Sequence, residues 1–328
     1  MKPHFLPISI RSSGKALPGR KVTSCELDAR LSKPAGWAQK RSGISCRFHA
    51  NDEHQSAVAA QALQDALMRG GIEPSSIDLL ISASGVQEQQ LPSTAALILD
   101  CAGMRPGTPG FDVNASCISF PVALHVAASL LNTFAYRRIA IVASDLASRG
   151  IDWNNAETSL IFGDGAAAVI VERGDGSTGI EGYQLRTYPE GKAYCEIRAG
   201  TSRTPRRGAQ PSDFLFQMDG KRVFRLASRV MESVLSDLLG EAKLSLSDID
   251  AVVPHQASHL GMRHLADRLR VSAAQIVDIY ATHGNQVAAS IPTALHEAFV
   301  TGRAQAGRRL MLIGTAAGVT VGAMILKL

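Results

Sequence analysis

The 328-residue sequence lacks the features that mark several large classes of protein. Its five cysteines are scattered and form no Cys-x-x-Cys pair, so neither a zinc knuckle nor a disulfide framework is indicated. No uninterrupted apolar run reaches the roughly 18 residues of a membrane span, and residues 1–7 hold no apolar region typical of a signal peptide. We therefore expect a cytoplasmic protein that has no metal site and does not associate with a membrane.

Aromatic residues are scarce, at 5% of the chain, and the net charge of +5 is mild. No aromatic side chains interleave with basic ones, so a nucleic-acid-binding surface is a poor interpretation. Basic residues cluster from Arg198 to Arg207 and again at Arg263, Arg268 and Arg270. They favour a smaller anion, such as a nucleotide phosphate, or an acidic protein partner. For residues 198–207, a solvated basic loop is the simpler interpretation.

The composition, with 45% hydrophobic and 19% charged residues, is that of a globular protein, and the length suggests about two domains. The chain carries similar patterns twice at a nearly constant offset: Arg137–Ala143 resembles Arg308–Gly314, and Ile77-Asp resembles Ile249-Asp. Near-continuous apolar strands separated by helices predict sheets covered on both faces. We predict an α/β fold with two similar halves, residues 1–174 and 175–328, and with chemistry at their junction.

Each half also contains an amphipathic helix that precedes one of the repeated strands. In the first half, apolar residues recur at helical spacing and the pattern ends at Gly70-Gly71, while in the second half it ends at Gly240. The apolar positions are Val58, Ala62, Leu63, Ala66 and Leu67, and then Val223, Leu226, Ala227, Val230, Val234, Leu235 and Leu238.

A cysteine stands at one predicted strand-to-helix junction. Cys117 lies in the segment Phe111-Asp-Val-Asn-Ala-Ser-Cys-Ile-Ser-Phe-Pro121, and an apolar stretch follows from Val122 to Leu131. Free N–H groups at the start of a helix favour thiolate over thiol, and an unassisted thiol has a pKa of about 8.5. The segment alone is weak evidence, because a cysteine in an apolar neighbourhood is more often an inert core residue.

Two further junctions carry polar side chains. Val252-Val-Pro-His-Gln-Ala257 presents His255 after a β-branched run, and a later turn places His283 and Asn285 around a glycine. Taken singly, each histidine is more often a structural residue, and an asparagine beside glycine is more often turn chemistry. Together the three junctions supply a nucleophile, a candidate acid or base and an oriented hydrogen-bond donor.

The order of these motifs resembles that of the thiolase superfamily, and most of all the β-ketoacyl-acyl carrier protein synthase III family. The motifs are Cys117, then Pro254-His-Gln-Ala257, then His283-Gly-Asn285 with Ala-Ala-Ser-Ile-Pro292 after it. The resemblance begins in Gly36–Ile44 and continues to the last strand. It implies the thiolase-like duplicated αβαβα layered fold and a homodimer.

The resemblance also implies a reaction. Cys117 would take the acyl group of an acyl-coenzyme A as a thioester. A malonyl-acyl carrier protein, or malonyl-coenzyme A, would then lose CO2 while His255 and Asn285 stabilise the enolate oxygen, and the carbanion would attack the thioester. The N–H groups of Cys117 and Ala317 would form an oxyanion hole for the tetrahedral intermediate. Fixed donors in a dry site suit such developing charge.

Substrate-binding residues follow from the same resemblance. Trp37, Arg41 and Arg149 would hold the adenine and phosphates of coenzyme A, which is a substrate rather than a permanently bound cofactor. Arg268 and Arg270 would meet the acidic carrier protein.

The sequence departs from the family pattern at several positions. Leu91, before Pro92, replaces the phenylalanine that commonly limits the acyl pocket across the dimer axis, and Gln87–Gln90 makes that loop polar. Ile118 stands where a small residue is usual, and Ser258 where asparagine is usual. These departures argue against an acetyl-primed housekeeping enzyme and favour another primer or a specialised pathway.

Three other functions compete with a decarboxylating ketosynthase. An acyltransferase could pass the acyl group to another nucleophile without decarboxylation, but the pair His255 and Asn285 favours the ketosynthase, since an acyltransferase needs a base more than an enolate hole. A non-catalytic partner subunit does not explain the retained Cys117. A papain-like hydrolase is compatible with the residue types but not with the duplicated layout.

Overall fold

The structure is a computed structural model that describes residues 5–202 and 208–328. Residues 1–4, which belong to the segment from which we predict the absence of a signal peptide, lie outside the described residues. Residues 203–207, the end of the basic segment that begins at Arg198, also lie outside them. None of the described helices is both long enough and apolar enough to cross a membrane.

The first half of the chain builds a five-stranded sheet with the order β2-β8-β7-β5-β6, and β3 pairs with β4 beside it. Its elements in chain order are β1 (Leu6–Pro7), β2 (Ser9–Ala16), β3 (Arg20–Thr23), α1 (Ser24–Arg30), α2 (Trp37–Ser42), β4 (Cys46–His49), α3 (Gln55–Gly70), β5 (Leu79–Ser82), α4 (Thr94–Cys101), β6 (Gly110–Asp112), α5 (Ser119–Asn132), β7 (Arg138–Asp145) and β8 (Gly165–Glu172).

The second half builds another five-stranded sheet, with the order β1-β9-β14-β13-β12. Its elements are β9 (Gly179–Thr187), β10 (Cys195–Glu196), β11 (Gln217–Met218), α6 (Gly220–Ala242), β12 (Ala251–Pro254), α7 (His259–Leu269), α8 (Tyr280–His283), α9 (Ser290–Val300), β13 (Arg309–Ala316) and β14 (Thr320–Lys327).

The two sheets repeat one topology. In the first, β5 runs parallel to β7, which is antiparallel to β8. In the second, β12 runs parallel to β13, which is antiparallel to β14. The predicted correspondence between Arg137–Ala143 and Arg308–Gly314 thus falls on the equivalent strands β7 and β13. The internal duplication is confirmed at the level of the sheets.

Three apolar clusters show that the halves stack as five layers. One cluster joins α3 and α4 to the outer face of the first sheet. A second joins both sheets through α5 and α9, and a third joins α6 and α7 to the outer face of the second sheet. The predicted αβαβα arrangement is therefore confirmed, with α5 and α9 as the middle layer.

The local sequence explains why these helices form where they do. All five apolar positions that we predicted for α3 are buried, and the helix ends at Gly71, which adopts a left-handed conformation. Pro121 is the third residue of α5, where the missing backbone N–H is not needed by the helix. The helix after Cys117 can therefore begin despite the proline.

The predicted boundary near Gly174 falls in the turn between β8 and β9. There is no room for a side chain at Gly174, because a Cβ would lie 2.6 Å from the carbonyl oxygen of Thr178. The sheets do not follow the boundary completely, since β1 leaves the first half and pairs with β9 of the second. The division into residues 1–174 and 175–328 stays a prediction.

Candidate active site

Cys117 lies in a tight turn between β6 and α5, two residues before the helix begins. The preceding residue, Ser116, has a positive φ of 52°, which is uncommon for a residue other than glycine. Hydrogen bonds hold this turn: the Ser119 hydroxyl donates to the Ser116 carbonyl at 2.7 Å, and the Ser116 N–H donates to Asn114 Oδ1 at 2.9 Å. The turn thus fixes the direction in which the thiol points.

The electrostatics of the thiol differ from the sequence-based expectation. Burial, followed by the nearby carboxyl of Asp145, raises the pKa of Cys117 to about 12. The N–H groups of Ala317 and of Cys117 itself point at the sulfur and act in the opposite direction. The expectation that the start of α5 would favour the thiolate is therefore wrong for the free protein, because desolvation outweighs these dipoles.

His255 follows β12 and is buried. Its backbone N–H donates to the Ile313 carbonyl at 2.8 Å, which ties it to β13. Burial lowers the pKa of its imidazole to about 4, so the ring is neutral near pH 7. A neutral imidazole carries one N–H group, and this ring can therefore donate one hydrogen bond without bringing a positive charge.

Asn285 has an oriented amide. Its Oδ1 accepts the Val287 N–H at 2.9 Å, so the Nδ2 group faces the other way, towards the Ala257 carbonyl at 3.5 Å. That bond is long, which leaves Nδ2 able to donate to a substrate oxygen. A hydrogen bond also fixes the backbone of this turn: the Gly163 N–H donates to the Asn285 carbonyl at 3.1 Å.

Two glycines show that these three junctions meet. A Cβ on Gly314 would lie 2.9 Å from the Cβ of His255 and 2.9 Å from the Cγ2 of Ile118, the neighbour of Cys117. A Cβ on Gly85 would lie 2.6 Å from the Cγ1 of Val287 and 3.3 Å from the carbonyl carbon of Ser116. The segments that carry the thiol, the imidazole and the amide are thus in contact around Gly314 and Gly85.

His283, the other histidine of the Asn285 turn, has local partners. Its Nδ1 lies 2.9 Å from the Thr282 hydroxyl and 3.3 Å from the Ile279 carbonyl, and burial lowers the pKa of the ring. These contacts match the structural role that we gave as the simpler interpretation.

Ile118, one of the departures from the family pattern, is fully buried against the second half. Its side chain reaches two glycines that are register partners on adjacent strands, Gly314 on β13 and Gly322 on β14. Either glycine would place a Cβ 2.9 Å from an Ile118 methyl group. The larger side chain is thus accommodated by the absence of side chains at both positions.

Sequence reasoning missed two titratable neighbours of Cys117. Asp145 ends β7 and is fully buried, and Cys195 in β10 lies close enough for Cys117 to contribute to its raised pKa. A signal for Asp145 was present, since a carboxylate directly follows the buried run Ile139–Ser144 at the same kind of strand end as the other junctions. No comparable signal marked Cys195.

The three residues predicted to bind coenzyme A lie on two segments. Trp37 begins α2, and the guanidinium of Arg41 lies over its ring at 5.7 Å from the centroid. Arg149 is exposed in the short helix after β7 and donates to the Glu53 carbonyl at 2.7 Å. Within the described residues, no hydrogen bond or ring contact joins Arg149 to Trp37 or Arg41.

Leu91 has an exposed fraction of 85%, which is large for a leucine. The polar loop before it is fastened to α3: Glu88 accepts the Ser56 N–H at 2.6 Å, and Gln55 donates to the Val86 carbonyl at 2.9 Å. The loop thus presents an apolar side chain to solvent from an anchored base.

The basic residues suggested for a carrier protein lie at the end of α7. Arg268 is 3.8 Å from Glu232 of α6, and Arg270 caps α7 in a left-handed conformation. Ser258, another departure from the family pattern, caps the start of the same helix and accepts the Gly261 N–H at 3.0 Å.

Known proteins resemble this chain along nearly its whole length. The family model described as 3-oxoacyl-[acyl-carrier-protein (ACP)] synthase III matches residues 111–189, and the model of its C-terminal part matches residues 239–328. A curated β-ketoacyl-[acyl-carrier-protein] synthase III from Erythrobacter litoralis is 35% identical over 323 residues, which cover 97% of this chain and 98% of that protein.

Solved structures agree with this resemblance. A 3-oxoacyl-[acyl-carrier-protein] synthase III from Aquifex aeolicus superposes with a TM-score of 0.88 at 28% identity and covers 98% of this chain and 100% of its own. A β-ketoacyl-[acyl carrier protein] synthase III from Thermus thermophilus gives 0.89 at 29% identity, with 98% and 99% covered. Xanthomonas campestris OleA, at 20% identity and a TM-score of 0.88 over 100% and 99%, shares the fold.

Proposed function

Because the chain belongs to the β-ketoacyl-[acyl-carrier-protein] synthase III family, we propose that it condenses an acyl-coenzyme A primer with malonyl-acyl carrier protein through a thioester on Cys117. Family membership makes the protein an acyltransferase with a thiolase fold. The observation that supports the proposal is that the segments carrying Cys117, His255 and Asn285 meet around Gly314 and Gly85. A papain-like hydrolase would use the same residue types, but it does not fit the duplicated layout.

The first half-reaction is acyl transfer. The sulfur of Cys117 attacks the thioester carbonyl, the bond to the coenzyme A sulfur breaks, and the thiol proton ends on the departing coenzyme A. We propose that the N–H groups of Ala317 and Cys117, which point at the thiol sulfur, bind the oxyanion of the tetrahedral intermediate. The raised pKa of the free thiol implies that ionisation accompanies substrate binding rather than precedes it.

The second half-reaction is condensation. The malonyl carboxylate leaves as CO2, and its electron pair moves to the α-carbon and the thioester oxygen. The neutral His255 ring and the Nδ2 of Asn285 each supply an N–H group for this enolate. The α-carbon then attacks the acyl carbonyl, Cys117 leaves as a thiolate and takes up a proton, and a β-ketoacyl thioester is released.

Binding of coenzyme A is proposed for Trp37, Arg41 and Arg149. A half-buried indole beside the guanidinium of Arg41 can stack on adenine while cations meet phosphates, and Arg41 and Arg149 are exposed. A malonyl group carried by coenzyme A instead of a carrier protein would use the same residues. Coenzyme A remains a substrate in this proposal.

A cytoplasmic homodimer is the proposed form of the enzyme. The first sheet ends at the short strand β6, whose Phe111 is partly exposed, and an uncovered edge of this kind pairs readily with another strand. Leu91 stands exposed on its anchored loop, available to line the acyl pocket of a second copy. All five cysteines are free, which suits a reducing compartment.

Mass spectrometry of the intact protein after incubation with a panel of acyl-coenzyme A thioesters tests the function. We expect a Cys117 adduct that malonyl-acyl carrier protein discharges with loss of CO2. Cys117→Ala should form no adduct, while His255→Ala and Asn285→Ala should still acylate but condense about 100-fold more slowly. An adduct that the malonyl donor leaves in place would favour an acyltransferase, and no adduct from any thioester would contradict the proposal.

A further inference from the structure

Asp145 is a buried carboxylate that the proposed reaction does not use. It is the last residue of β7 and has no exposed surface. Within residues 5–202 and 208–328, no lysine, arginine or histidine forms an ion pair with it. A charge buried without a counter-ion costs free energy unless hydrogen bonds replace its water, so its hydrogen-bond partners should show what the residue does.

Those partners are backbone N–H groups of both halves of the protein. Oδ1 accepts the N–H of Gly85 at 3.0 Å and of Val86 at 2.8 Å, in the loop that follows β5. Oδ2 accepts the N–H of Ala288 at 3.1 Å, in the turn before α9, and the N–H of Ala289 also points at the carboxylate. One side chain thus joins a loop of the first half to a turn of the second.

Each of these segments leads directly to a reacting group. The Gly85 carbonyl accepts the Nδ2 of Asn114 at 3.2 Å, and Asn114 in turn orients Ser116, the residue before Cys117. On the other side, Ala288 follows Val287, whose N–H fixes the amide of Asn285. Asp145 therefore lies between the supports of the nucleophile and of the enolate-binding amide, without contacting substrate.

We propose that Asp145 is a positioning residue for condensation. Its carboxylate holds the Gly85–Val86 loop and the Ala288–Ala289 turn together, so that Cys117 and Asn285 can contact the same substrate. The role rests on the proposed function, because it concerns the step in which both residues act. Acyl transfer depends on Cys117 and its own oxyanion hole and should need Asp145 less.

The charge of Asp145 provides a readout that a purely structural residue would not share. Asp145 is the carboxylate whose field raises the pKa of Cys117, and Cys195, itself with a raised pKa, also lies near that thiol. Removing the charge should lower the thiol pKa. At a pH well below the pKa of the thiol, each unit by which this pKa falls raises the alkylation rate about tenfold. The reason is that the thiolate fraction rises by the same factor.

Asp164 offers a matched control. It is also fully buried, and its carboxylate also binds backbone N–H groups, those of Ala50 and Ser148, each at 2.7 Å. Burial raises its pKa as it does that of Asp145. Asp164 does not contribute to the pKa of Cys117, so Asp164→Asn should lower thermal stability and leave the pH profile of alkylation unchanged.

The test compares Asp145→Asn with wild type and Asp164→Asn. Asparagine keeps one acceptor oxygen but turns an NH2 group towards one set of N–H donors, so one segment is released. We expect condensation from the preformed acyl-enzyme to fall at least tenfold more than acylation, and alkylation by iodoacetamide to shift to lower pH. If both half-reactions fall by the same factor, or if the alkylation profile does not move, the proposal is wrong.

Wild type supplies a second test that does not depend on folding of the variant. Burial raises the pKa of Asp145 to about 7, and protonation turns one acceptor oxygen into a donor. In the acyl-enzyme Cys117 cannot titrate, and His255 has a pKa of about 4. Discharge of the acyl-enzyme should therefore slow as the pH falls through about 7. A discharge rate that stays constant from about pH 6 to 8 would overturn the proposal.

The two proposals fail in different ways. A wild-type acyl-enzyme that malonyl thioesters never discharge contradicts the ketosynthase itself. The alkylation experiment needs no substrate, so it tests the placement of Asp145 beside the thiol whatever the reaction is.

Discussion

Gly314 is a single residue on which two parts of the site depend. It separates His255 from Ile118, and there is no space for a methyl group between them. Because the contacts are with a Cβ atom and a branched side chain in the core, neither neighbour can move aside without shifting its backbone. Nothing in the sequence distinguishes Gly314 from any other glycine in a strand.

Gly314→Ala should therefore lower kcat by about 100-fold, since the displaced His255 no longer meets the enolate oxygen. Gly322→Ala should lower kcat less, because its Cβ would come within 2.9 Å of only the Cδ1 end of the Ile118 side chain. Steady-state kinetics and thermal denaturation of both variants check the prediction. Gly240→Ala is the control: no atom lies within 4 Å of the added Cβ, and alanine favours the helix by about 1 kcal/mol. Full activity in Gly314→Ala would show that the two segments are less tightly packed.

Residue chemistry was only partly predictable from the sequence. Cys117, His255 and Asn285 stand in recognisable motifs, and their segments meet as expected. The ionisation of the thiol could not be predicted, because it depends on desolvation and on Asp145, which is distant in the chain and reaches Cys117 only through the parallel arrangement of strands. Local helix-dipole reasoning gave the wrong direction because it considered one contribution out of several.

At the scale of elements, α2 shows how a short helix can be held by a neighbouring one. Six residues make a weak helix, and α2 has no hydrogen-bonding cap at its own start, where Gly36 is left-handed. The buried carboxylate of Asp28 replaces the cap and accepts the N–H of Gly36 and of Ala38, each at 2.7 Å. The orientation of Trp37 and Arg41 therefore depends on a residue of α1.

Asp28→Ala should raise the KM for acyl-coenzyme A several-fold and cost about 1 kcal/mol of stability, because two N–H groups at the start of α2 lose their acceptor. Asp28→Asn keeps an acceptor oxygen, so its KM and its stability should lie between those of Asp28→Ala and wild type. Acylation by a short thioester without the nucleotide, measured on the same proteins, is the control and should change little. A KM that rises equally for both substrates would show that Asp28 acts on the site as a whole.

The elements themselves were predicted from the sequence where periodicity was strong. The apolar face of α3 and its end at Gly70-Gly71 correspond to the structure closely, whereas α6 continues two residues beyond the predicted end at Gly240. The strand β1 could not be foreseen, because two residues carry no periodicity and its partner β9 is remote in the chain. Short pairings of this kind are decided by tertiary contacts.

At the scale of the whole molecule, several buried histidines make stability depend on pH. Burial lowers the pKa of His49 and of His255 to about 4 from 6.5. A group with a lowered pKa stays neutral in the folded protein while the unfolded chain binds a proton, so stability falls as pH drops from about 6.5 to 4. The raised pKa of Asp145 acts in the opposite direction between about 7 and 4.

His49→Gln should reduce the acid sensitivity of the protein without touching the site. Below about pH 6.5, a single histidine of this kind lowers the free energy of unfolding by up to about 1.4 kcal/mol per pH unit. The variant should be less stable than wild type at pH 7.5, since the contact of the ring with Trp153 is lost, but the difference should narrow at pH 5.5. Urea denaturation at both pH values measures the difference in stability between the variant and wild type. A difference that is the same at both would mean that His49 does not titrate on unfolding.

The pairing of β1 with β9 bears on how the chain can be assembled. Leu6 is aligned with Ile180, and β9 in turn pairs with β14, the last strand. A ribosome makes β1 long before β9 and β14, so the second sheet cannot close until β14 has been synthesised. The two halves look alike in topology, but they are not interchangeable modules: a chain cut between β8 and β9 would leave the second sheet without its edge strand.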